Sequence, residues 1–337
     1  MIIVRLTSGL GNQMFQYSFY RFLENRYRDT VVKADVSWFY GNNDHHGYEL
    51  DRIFSKQENS GFYIEKASAL DILKVTGQLP NIIENKGALS CKLAGDFEKF
   101  RRYPNRVLRE YTQKKREPYI IDQHDGTINN FDVKAKDSNG IYNEMYEKVT
   151  NLDTSKDWYI KGYWIEEKYI YGRIEEIREH FIFPPFEDEE NIKLAKEIQA
   201  TDSVSIHVRR GDYLSPIYEN KFVSLGREYY EKAVTYARLY ADDPVFYIFS
   251  DDPEFVSTAF DWLPEKRIVS CNSGDNSFRD MQLMSLCKHN IIANSTFSQW
   301  GALLNRNEGH ITIYPKAYLN GQDSEIKKTK NWIRLPK

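Results

Sequence analysis

The sequence predicts an α/β protein made of two domains, each built on a parallel sheet. From residue 203 onward, short apolar strands alternate with amphipathic helices, the pattern of a parallel sheet with helices on both faces. The first 34 residues indicate a strand, a glycine turn, a helix and a second strand, the opening unit of the same kind of domain. A chain of 337 residues with 41% hydrophobic residues is long and apolar enough for two such domains.

The N-terminal domain is predicted to span residues 1–185, and its first elements give the clearest signals. Residues 2–4 are β-branched and predict a strand, and the Ser-Gly-Leu-Gly run at residues 8–11 predicts a turn. Asn12 is a candidate N-cap for the next helix, in which large apolar residues recur at helical spacing. Residues 30–34 predict the second strand.

The middle of the chain is irregular, and a proline pair marks the domain boundary. Residues 40–155 show no regular pattern, whereas residues 158–163 predict a strand and residues 165–181 place apolar side chains on one helical face. The prolines at 184 and 185 end that helix, because proline lacks the backbone donor that a helix needs. We therefore place the second domain at residues 186–337.

The C-terminal domain is predicted to alternate strands and helices without interruption. Strands are expected at residues 203–208, 245–249, 267–269, 290–293 and 310–314. Helices are expected near residues 188–200, 227–241, 276–288 and 296–306.

Composition excludes several classes of function. Lys and Arg total 46 against 49 Asp and Glu, and this balance argues against a nucleic-acid-binding protein. Three scattered cysteines favour neither a disulfide framework nor a zinc site, and they fit a reducing compartment. No apolar run approaches the roughly 18 residues that span a bilayer. We expect a cytoplasmic protein, whose location is compatible with peripheral association at the inner face of a membrane.

Polar segments follow three predicted strands, at the sheet edge where ligands bind parallel α/β domains. The first runs from His207 to Tyr213 and contains Arg209 and Arg210, whose planar side chains suit phosphate oxygens. Asp212 follows, and it either orients one arginine or lies outside the cleft. The alternative interpretation of this segment is a solvated basic turn.

The other two segments lie after later strands. Asn294, Ser295, Thr296, Phe297 and Ser298 precede a predicted helix, whose N-terminus attracts phosphate, although Ser and Thr are also ordinary helix caps. The third segment comprises Ser250, Asp251 and Asp252. Its aspartates suit a base or a ribose, or one of them caps the helix that starts at Pro253.

Several metal and nucleotide motifs are missing from the sequence. No two aspartates stand two apart, so the Asp-x-Asp pair that holds a divalent cation on many sugar nucleotides is absent. No Walker loop and no His-Glu-x-x-His motif occurs either. The residues therefore predict a metal-free site for a nucleoside diphosphate compound, in a cleft between two α/β domains.

Taken together, the motifs resemble those of the α-1,2-fucosyltransferases of glycosyltransferase family 11. The resemblance covers nearly the whole chain and rests on GLGNQMFQY at 9–17, GYW at 162–164, HVRRGDY at 207–213, SDD at 250–252 and NSTFS at 294–298. Three positions depart from the family pattern: Phe255 stands where tryptophan is frequent, and Gln299 and Leu303 each replace a tryptophan.

The resemblance implies a GT-B fold, in which two Rossmann-like domains face each other across a cleft. It implies an inverting hexosyltransferase that moves L-fucose from GDP-fucose to the 2-hydroxyl of a galactoside, in surface polysaccharide or oligosaccharide synthesis. GDP-fucose is the donor substrate on the C-terminal domain, a galactose-containing glycan is the acceptor on the N-terminal side, and neither a cofactor nor a metal is required.

The resemblance also assigns roles to the candidate residues. Arg209 or Arg210 would clamp the diphosphate, with Gly11 and Asn12 closing from the N-terminal domain. The donor site would be completed by the following residues, with a plain structural role as the alternative for the first of them: His207, Asp251, Asp252, Asn294, Ser295, Thr296, Phe297 and Ser298. The candidate catalytic bases are Asp35, Glu49 and Asp212, and a dissociative path needs no base. The acceptor and the oligomeric state stay open, and the alternatives are α-1,3 or α-1,6 transfer, a different sugar donor, or an inactive nucleotide-sugar or glycan-binding protein.

Overall fold

The chain folds into two compact units, Met1–Phe181 and Ile182–Lys337. The computed structural model describes residues 1–40, 44–58, 60–77, 119–122, 145–211, 213, 222–319, 322–323 and 331–335. Each unit contains a parallel sheet, so the predicted α/β class with two parallel-sheet domains is confirmed. Most of the irregular stretch at 40–155 lies outside the described residues.

The first unit contains a parallel sheet with the strand order β2-β1-β4-β3. Its strands are β1 (Ile2–Arg5), β2 (Val32–Asp35), β3 (Tyr119–Asp122) and β4 (Trp158–Lys161). Its helices are α1 (Leu10–Arg26), α2 (Leu50–Phe54), α3 (Ala69–Thr76) and α4 (Ile174–His180), and residues 145–150 are also helical. Short 3₁₀ turns cover Ser37–Phe39, Asp44–His46, Glu167–Tyr169 and Tyr171–Arg173.

Two details of the first unit differ from the prediction. The N-cap of α1 is Gly9, in an extended conformation after the left-handed Ser8, so the prediction that Asn12 caps this helix is wrong. Asn12 instead lies in the first turn, where its N–H donates to the Gly9 carbonyl at 2.9 Å. Residues 165–181 form two 3₁₀ turns followed by α4, and Gly172, which disfavours a helix by about 1 kcal/mol relative to alanine, lies in the second turn.

Two buried glutamines of α1 hold the loops around the helix N-terminus. Gln13 donates from Nε2 to the carbonyls of Ser8 and Gly47, both at 2.8 Å. Gln16 accepts from the Thr7 N–H at 2.8 Å and donates to the Gly162 carbonyl at 3.0 Å. Buried amides are stable only when bonded, so these residues of the GLGNQMFQY motif fix the fold of the carboxyl edge of the sheet.

The second unit contains a larger parallel sheet with the strand order β12-β9-β8-β5-β6-β7. These strands are β5 (Asp202–Val208), β6 (Pro244–Ser250), β7 (Lys266–Val269), β8 (His289–Ile291), β9 (Thr312–Pro315) and β12 (Trp332–Leu335). A separate antiparallel pair consists of β10 (Ala317–Leu319) and β11 (Gln322–Asp323). The five predicted strands are confirmed to within two residues at each end, and β12 is an addition.

Helices alternate with most strands of this sheet, and the four predicted helices are present together with the one expected to begin at Pro253. They are α5 (Glu189–Ala200), α6 (Arg227–Ala237), α7 (Pro253–Ala259), α8 (Phe278–Leu286) and α9 (Thr296–Leu303), with a 3₁₀ turn at Gly274–Asn276. Within the described ranges, none of the helices combines the length and apolar character that crossing a membrane would need.

The two faces of β5 differ, because side chains alternate along a strand. Val204, Ile206 and Val208 enter an apolar core together with α6 and β6. Ser205 lies on the opposite face, where its hydroxyl accepts from the Asn290 amide at 2.8 Å. His207 shares this polar face and reaches the carboxyl edge of the sheet.

Candidate active site

The three polar segments meet at one edge of the second unit. They follow β5, β6 and β8, which are neighbours in the sheet, with β5 in the middle. Parallel strands end at the same edge, so the segments come together although they are far apart in sequence. The prediction that these segments gather at one sheet edge is confirmed.

Each of the two arginines is paired with an aspartate from the segment after β6. Arg209 contacts Asp251 through Nη1 and Oδ2 at 2.9 Å, and Arg210 contacts Asp252 through Nε and Oδ2 at 3.1 Å. The backbone N–H of Arg210 also donates to Oδ1 of Asp251 at 2.9 Å. These four side chains are between 24% and 35% exposed, so they are held in place and still reach solvent.

The two aspartates have different secondary roles. Asp252 is the N-cap of α7 and accepts from the Phe255 N–H at 3.1 Å, which confirms the capping interpretation for this residue. Asp251 lies against Gly211, where a Cβ atom would stand 2.7 Å from Oδ2. Because this position has no side chain, the carboxylate of Asp251 lies directly against the loop that carries both arginines.

His207 is a buried, neutral imidazole at this edge. It is 4% exposed, and burial lowers its pKa to about 4, with Arg209 acting in the same direction and Asp251 opposing it. Among the described residues, none bonds to its Nδ1. Its ring centre lies 5.8 Å from that of Phe297, the second residue of α9. His207 therefore brings one polar atom to the site without adding a charge at neutral pH.

The N-terminus of α9 is locally capped. Ser295 is the N-cap, and its hydroxyl accepts from the Phe297 N–H at 3.3 Å, which confirms the capping interpretation. Ser298 is fully buried and donates to the Ser295 carbonyl at 3.2 Å. Thr296 and Phe297 are half-buried. The side chains of Ser295 and Ser298 thus shape the helix end, and their predicted contact with a ligand stays a prediction.

Asn294 joins this helix end to the segment after β5. The side-chain amide of Asn294 donates to the Val223 carbonyl at 2.8 Å, and the backbone carbonyl of Asn294 accepts from the Tyr213 hydroxyl at 2.7 Å. Tyr213 in turn stacks on Phe222, with ring centres 4.2 Å apart. Asp212, predicted to orient an arginine, lies outside the described residues.

The remaining predicted site residues belong to the first unit. Gly11 and Asn12 lie in the first turn of α1, after the carboxyl end of β1. Asp35 is 2% exposed and accepts from the Ser37 N–H and the Tyr159 hydroxyl. These two bonds give Asp35 a structural role.

Glu49, the other candidate base of this unit, is also engaged by the fold. It is 2% exposed and pairs with Arg52 at 2.8 Å. Neither Asp35 nor Glu49 presents an unoccupied, accessible carboxylate. These contacts leave Asp212 as the remaining carboxylate among the candidate bases.

Two residues at the edge of the second sheet were not predicted as site residues. Phe255 in α7 lies under the Arg210 guanidinium, with 3.6 Å between Cζ and the ring centre. Asp280 in the first turn of α8 is half-buried, and burial raises its pKa to about 7, although the Asn272 amide donates to it at 2.8 Å. Perturbed acids at ligand-binding edges are candidate functional groups. The sequence signal of Asp280 is a single acid in the first turn of a helix whose other residues are apolar, basic or neutral polar.

Comparison with known proteins identifies the family. Residues 88–336 match the model of the family described as Glycosyl transferase family 11. The chain is 30% identical to the alpha-1,2-colitosyltransferase of Escherichia coli, over 100% of this chain and 99% of that protein. It is 27% identical to the O-antigen biosynthesis glycosyltransferase WbnK of Escherichia coli, over 98% of this chain and 99% of that protein.

A third relative matches over a shorter region. The galactoside 2-alpha-L-fucosyltransferase Sec1 of Mus musculus is 32% identical over 34% of this chain and 31% of its own length. The family match covers most of the chain and the bacterial matches cover nearly all of it. The chain is therefore a glycosyltransferase and belongs to glycosyl transferase family 11.

Proposed function

We propose that this glycosyltransferase moves L-fucose from GDP-fucose to the 2-hydroxyl of a galactoside and inverts the β-linked donor to an α-1,2 product. The motif resemblance supports this donor and linkage, and so does the name of the mouse relative, a galactoside 2-alpha-L-fucosyltransferase. Both full-length relatives named above are bacterial glycosyltransferases, and one of them is named for O-antigen synthesis. A role in surface polysaccharide synthesis, at the cytoplasmic side of a membrane, follows as part of the proposal.

The observation that carries the proposal is the pair of positioned arginines beside a helix N-terminus. Cleavage of the bond between fucose and GDP leaves growing negative charge on the β-phosphate and positive charge on the sugar ring. Preorganised donors that match such charge lower the barrier. Arg209 and Arg210 are fixed by Asp251 and Asp252, and their guanidinium groups remain partly exposed. We assign the diphosphate to these arginines and to the N-terminus of α9.

The ion pairs change the role that we propose for the two aspartates. The sequence predicts a contact between one of them and the guanosine. Both carboxylates are instead committed to arginine contacts, and Asp252 additionally caps α7. We therefore propose that Asp251 and Asp252 hold the arginines in the orientation that binds the diphosphate.

The donor site belongs to the second unit in this proposal, and residues 186–337 form the donor-binding domain. The N-terminus of α9 and its neighbours at the same sheet edge comprise His207, Asn294, Ser295, Thr296, Phe297 and Ser298. Residues 1–185 form the acceptor-side domain, with Gly11 and Asn12 as its predicted contribution. Positive charge comes from the arginines, so the proposal includes no metal and no separate cofactor.

Two routes remain for the proton of the acceptor hydroxyl. Asp35 and Glu49 are engaged by the fold, which leaves Asp212 among the carboxylates considered. In a dissociative reaction, the leaving diphosphate itself accepts the proton and no protein base takes part. Replacement of Asp212 by asparagine separates the two routes, because only a base is expected to cost a large factor in kcat, typically 10²–10⁴.

The second candidate is the same reaction with a different donor sugar. One relative that matches the chain from end to end is named an alpha-1,2-colitosyltransferase. Colitose is L-fucose without its 3-hydroxyl, so both sugars fit a site that binds the diphosphate in the same way. A donor site that bonds the 3-hydroxyl prefers fucose, because loss of a bonded hydroxyl leaves its partner unpaired.

Product analysis tests the proposal directly. The protein is incubated with GDP-fucose or GDP-colitose and a panel of galactosides, GDP release is followed, and the linkage is determined by NMR. An α-1,2-fucosylated galactoside confirms the proposal, and preferred use of GDP-colitose selects the second candidate. An α-1,3 or α-1,6 product corrects the linkage. Donor binding without turnover on every acceptor indicates an inactive binding protein.

A further inference from the structure

Phe255 is an exposed aromatic residue with a specific contact at the candidate site. It lies in the first turn of α7 and is 37% exposed, although large apolar side chains are usually buried. Its ring lies under the guanidinium of Arg210, with 3.6 Å between Cζ and the ring centre. This distance is well inside the range in which a cation and an aromatic face attract each other.

Asp252 connects the same two residues through its two oxygens. Oδ1 accepts from the backbone N–H of Phe255 at 3.1 Å, and Oδ2 accepts from Nε of Arg210 at 3.1 Å. The cap of α7 therefore fixes the ring and the carboxylate relative to each other. The ring covers one face of the guanidinium, while the carboxylate holds its Nε edge.

This arrangement leaves the far edge of the guanidinium to bind something else. A guanidinium has five N–H donors, and four of them are on the two Nη atoms. Within the described ranges, no residue bonds to either Nη atom of Arg210. Arg209 differs in this respect, because its Nη1 is paired with Asp251 at 2.9 Å. Two parallel N–H groups on one edge match two oxygens of a phosphate.

We propose that Phe255 is a positioning residue that, together with Asp252, orients the Nη edge of Arg210 toward the diphosphate of the donor. The inference rests on the proposed function, since it takes a nucleoside diphosphate as the ligand. Without the ring, the long side chain of Arg210 regains rotamers that point elsewhere, and the bound geometry must be selected from them. Phe255 thus acts on binding and on the transition state through Arg210, without touching the substrate.

The test compares two nucleoside ligands on variants of the full chain. Phe255→Leu keeps an apolar side chain and removes the aromatic face, whereas Phe255→Trp keeps it. We expect Phe255→Leu to weaken GDP binding by about tenfold and to leave guanosine binding unchanged. Phe255→Trp is expected to retain wild-type GDP affinity. The matched control is Tyr240→Leu, which removes a 49% exposed aromatic ring elsewhere in the same unit and leaves GDP affinity unchanged.

Coupling to Arg210 separates positioning from a general structural effect. In an Arg210→Gln background, a further Phe255→Leu change is expected to have no effect on GDP affinity, because its target is gone. An equal loss in both backgrounds overturns the inference, and so does a parallel loss of GDP and guanosine binding. Unchanged GDP affinity of Phe255→Leu also overturns it.

The same measurements keep this inference separate from the proposed function. A wild-type protein that binds GDP but transfers no fucose contradicts the proposed function, and the Phe255 comparison still stands on GDP alone. Normal fucose transfer with no Phe255 effect on GDP affinity contradicts the inference and leaves the function in place. Circular dichroism and thermal unfolding of each variant establish that it is folded before binding is measured.

Discussion

Replacing Gly211 by alanine tests whether the position of Asp251 controls the arginine pair. The added Cβ would lie 2.7 Å from Oδ2 of Asp251, whereas ordinary contacts begin near 3.4 Å. The carboxylate and the loop at Gly211 must therefore move apart by about 0.7 Å. Both of its oxygens are committed, one to Nη1 of Arg209 and the other to the N–H of Arg210, each at 2.9 Å.

The size of the effect follows from these bonds. A movement of this size takes a 2.9 Å contact beyond normal hydrogen-bond length. A partly exposed ion pair contributes about 0.2–1 kcal/mol, and a hydrogen bond to a charged group about 1.5–3 kcal/mol when it is lost. We expect Gly211→Ala to cost about 1–2 kcal/mol of stability. Misplacement of a charge-stabilising group by about 1 Å costs on the order of 10²-fold in rate, so kcat/KM is expected to fall by about 10–100-fold.

Donor kinetics and thermal unfolding provide the assay. The control is Gly172→Ala, at an exposed glycine where an added Cβ meets nothing within 4 Å. This variant is expected to keep wild-type kinetics and to gain up to about 1 kcal/mol, because alanine reduces the entropy of the unfolded chain. Wild-type kcat/KM and GDP affinity in Gly211→Ala would refute the idea that Asp251 sets the arginine geometry.

The remaining predictions address charge, metal, pH and packing. Arg210→Lys is expected to lower kcat/KM by about 10²-fold, because an ammonium lacks the planar pair of donors that a guanidinium offers. Arg209→Lys should show a similar loss, and retained turnover in both variants would contradict the mechanism. Turnover should survive EDTA, since the arginines carry the positive charge, and strict dependence on added Mn²⁺ would show this assignment to be wrong. Burial lowers the pKa of His207 from its ordinary 6.5 to about 4 in the folded protein. Between these two pH values the unfolded chain therefore binds more protons than the folded one, so the stability that is present above pH 6.5 is lost as the pH falls toward 4. Between pH 7 and pH 5, the free energy of unfolding should fall by about 2 kcal/mol less in His207→Asn than in the wild type, as measured by denaturant titrations. Identical pH profiles for the two proteins would refute this. Gly61→Ala places Cβ 2.5 Å from Cδ2 of the buried His180. The resulting overlap should lower the free energy of unfolding by about 1–3 kcal/mol and lower Tm, whereas the control Gly172→Ala should show no loss.

Much of the second unit could be predicted from the sequence because its central strands are buried on both faces. Such strands appear as a short apolar run at residues 245–249 and as an alternating pattern at residues 203–208, and the helices between them keep a helical apolar spacing. The strand β12 escaped prediction because its exposed Arg334 interrupts the apolar run, and its place in the sheet depends on pairing with β9. In the first unit, Asn12 appeared to be a cap by residue type, yet the left-handed Ser8 moves the helix start to Leu10.

The candidate site was predictable in its location and not in its contacts. The rule that ligands bind at the carboxyl ends of parallel strands brings the segments after β5, β6 and β8 together. The pairing of Arg209 with Asp251 and of Arg210 with Asp252 joins residues 42 positions apart in each case, and no local pattern encodes it. The same holds for Phe255, whose importance arises from a ring that lies under Arg210.

The aspartates raise a physical question about a site proposed to bind a diphosphate, because they cancel the formal charge of the two arginines. At exposures of 24–35%, an ion pair contributes only about 1 kcal/mol, so the attraction that a ligand must overcome is small. The carboxylates also occupy only some of the guanidinium N–H donors, since Oδ2 of Asp252 contacts Nε of Arg210. The same contact and the ring of Phe255 hold the Nη edge of Arg210 in one orientation. An anion with a single oxygen gains little at such an edge, whereas a diphosphate bonds to several fixed donors at once. Under the proposed function, the aspartates therefore reduce the net positive charge of the site and hold the arginines in the orientation that binds the ligand. The site then favours a ligand that matches its geometry over anions in general.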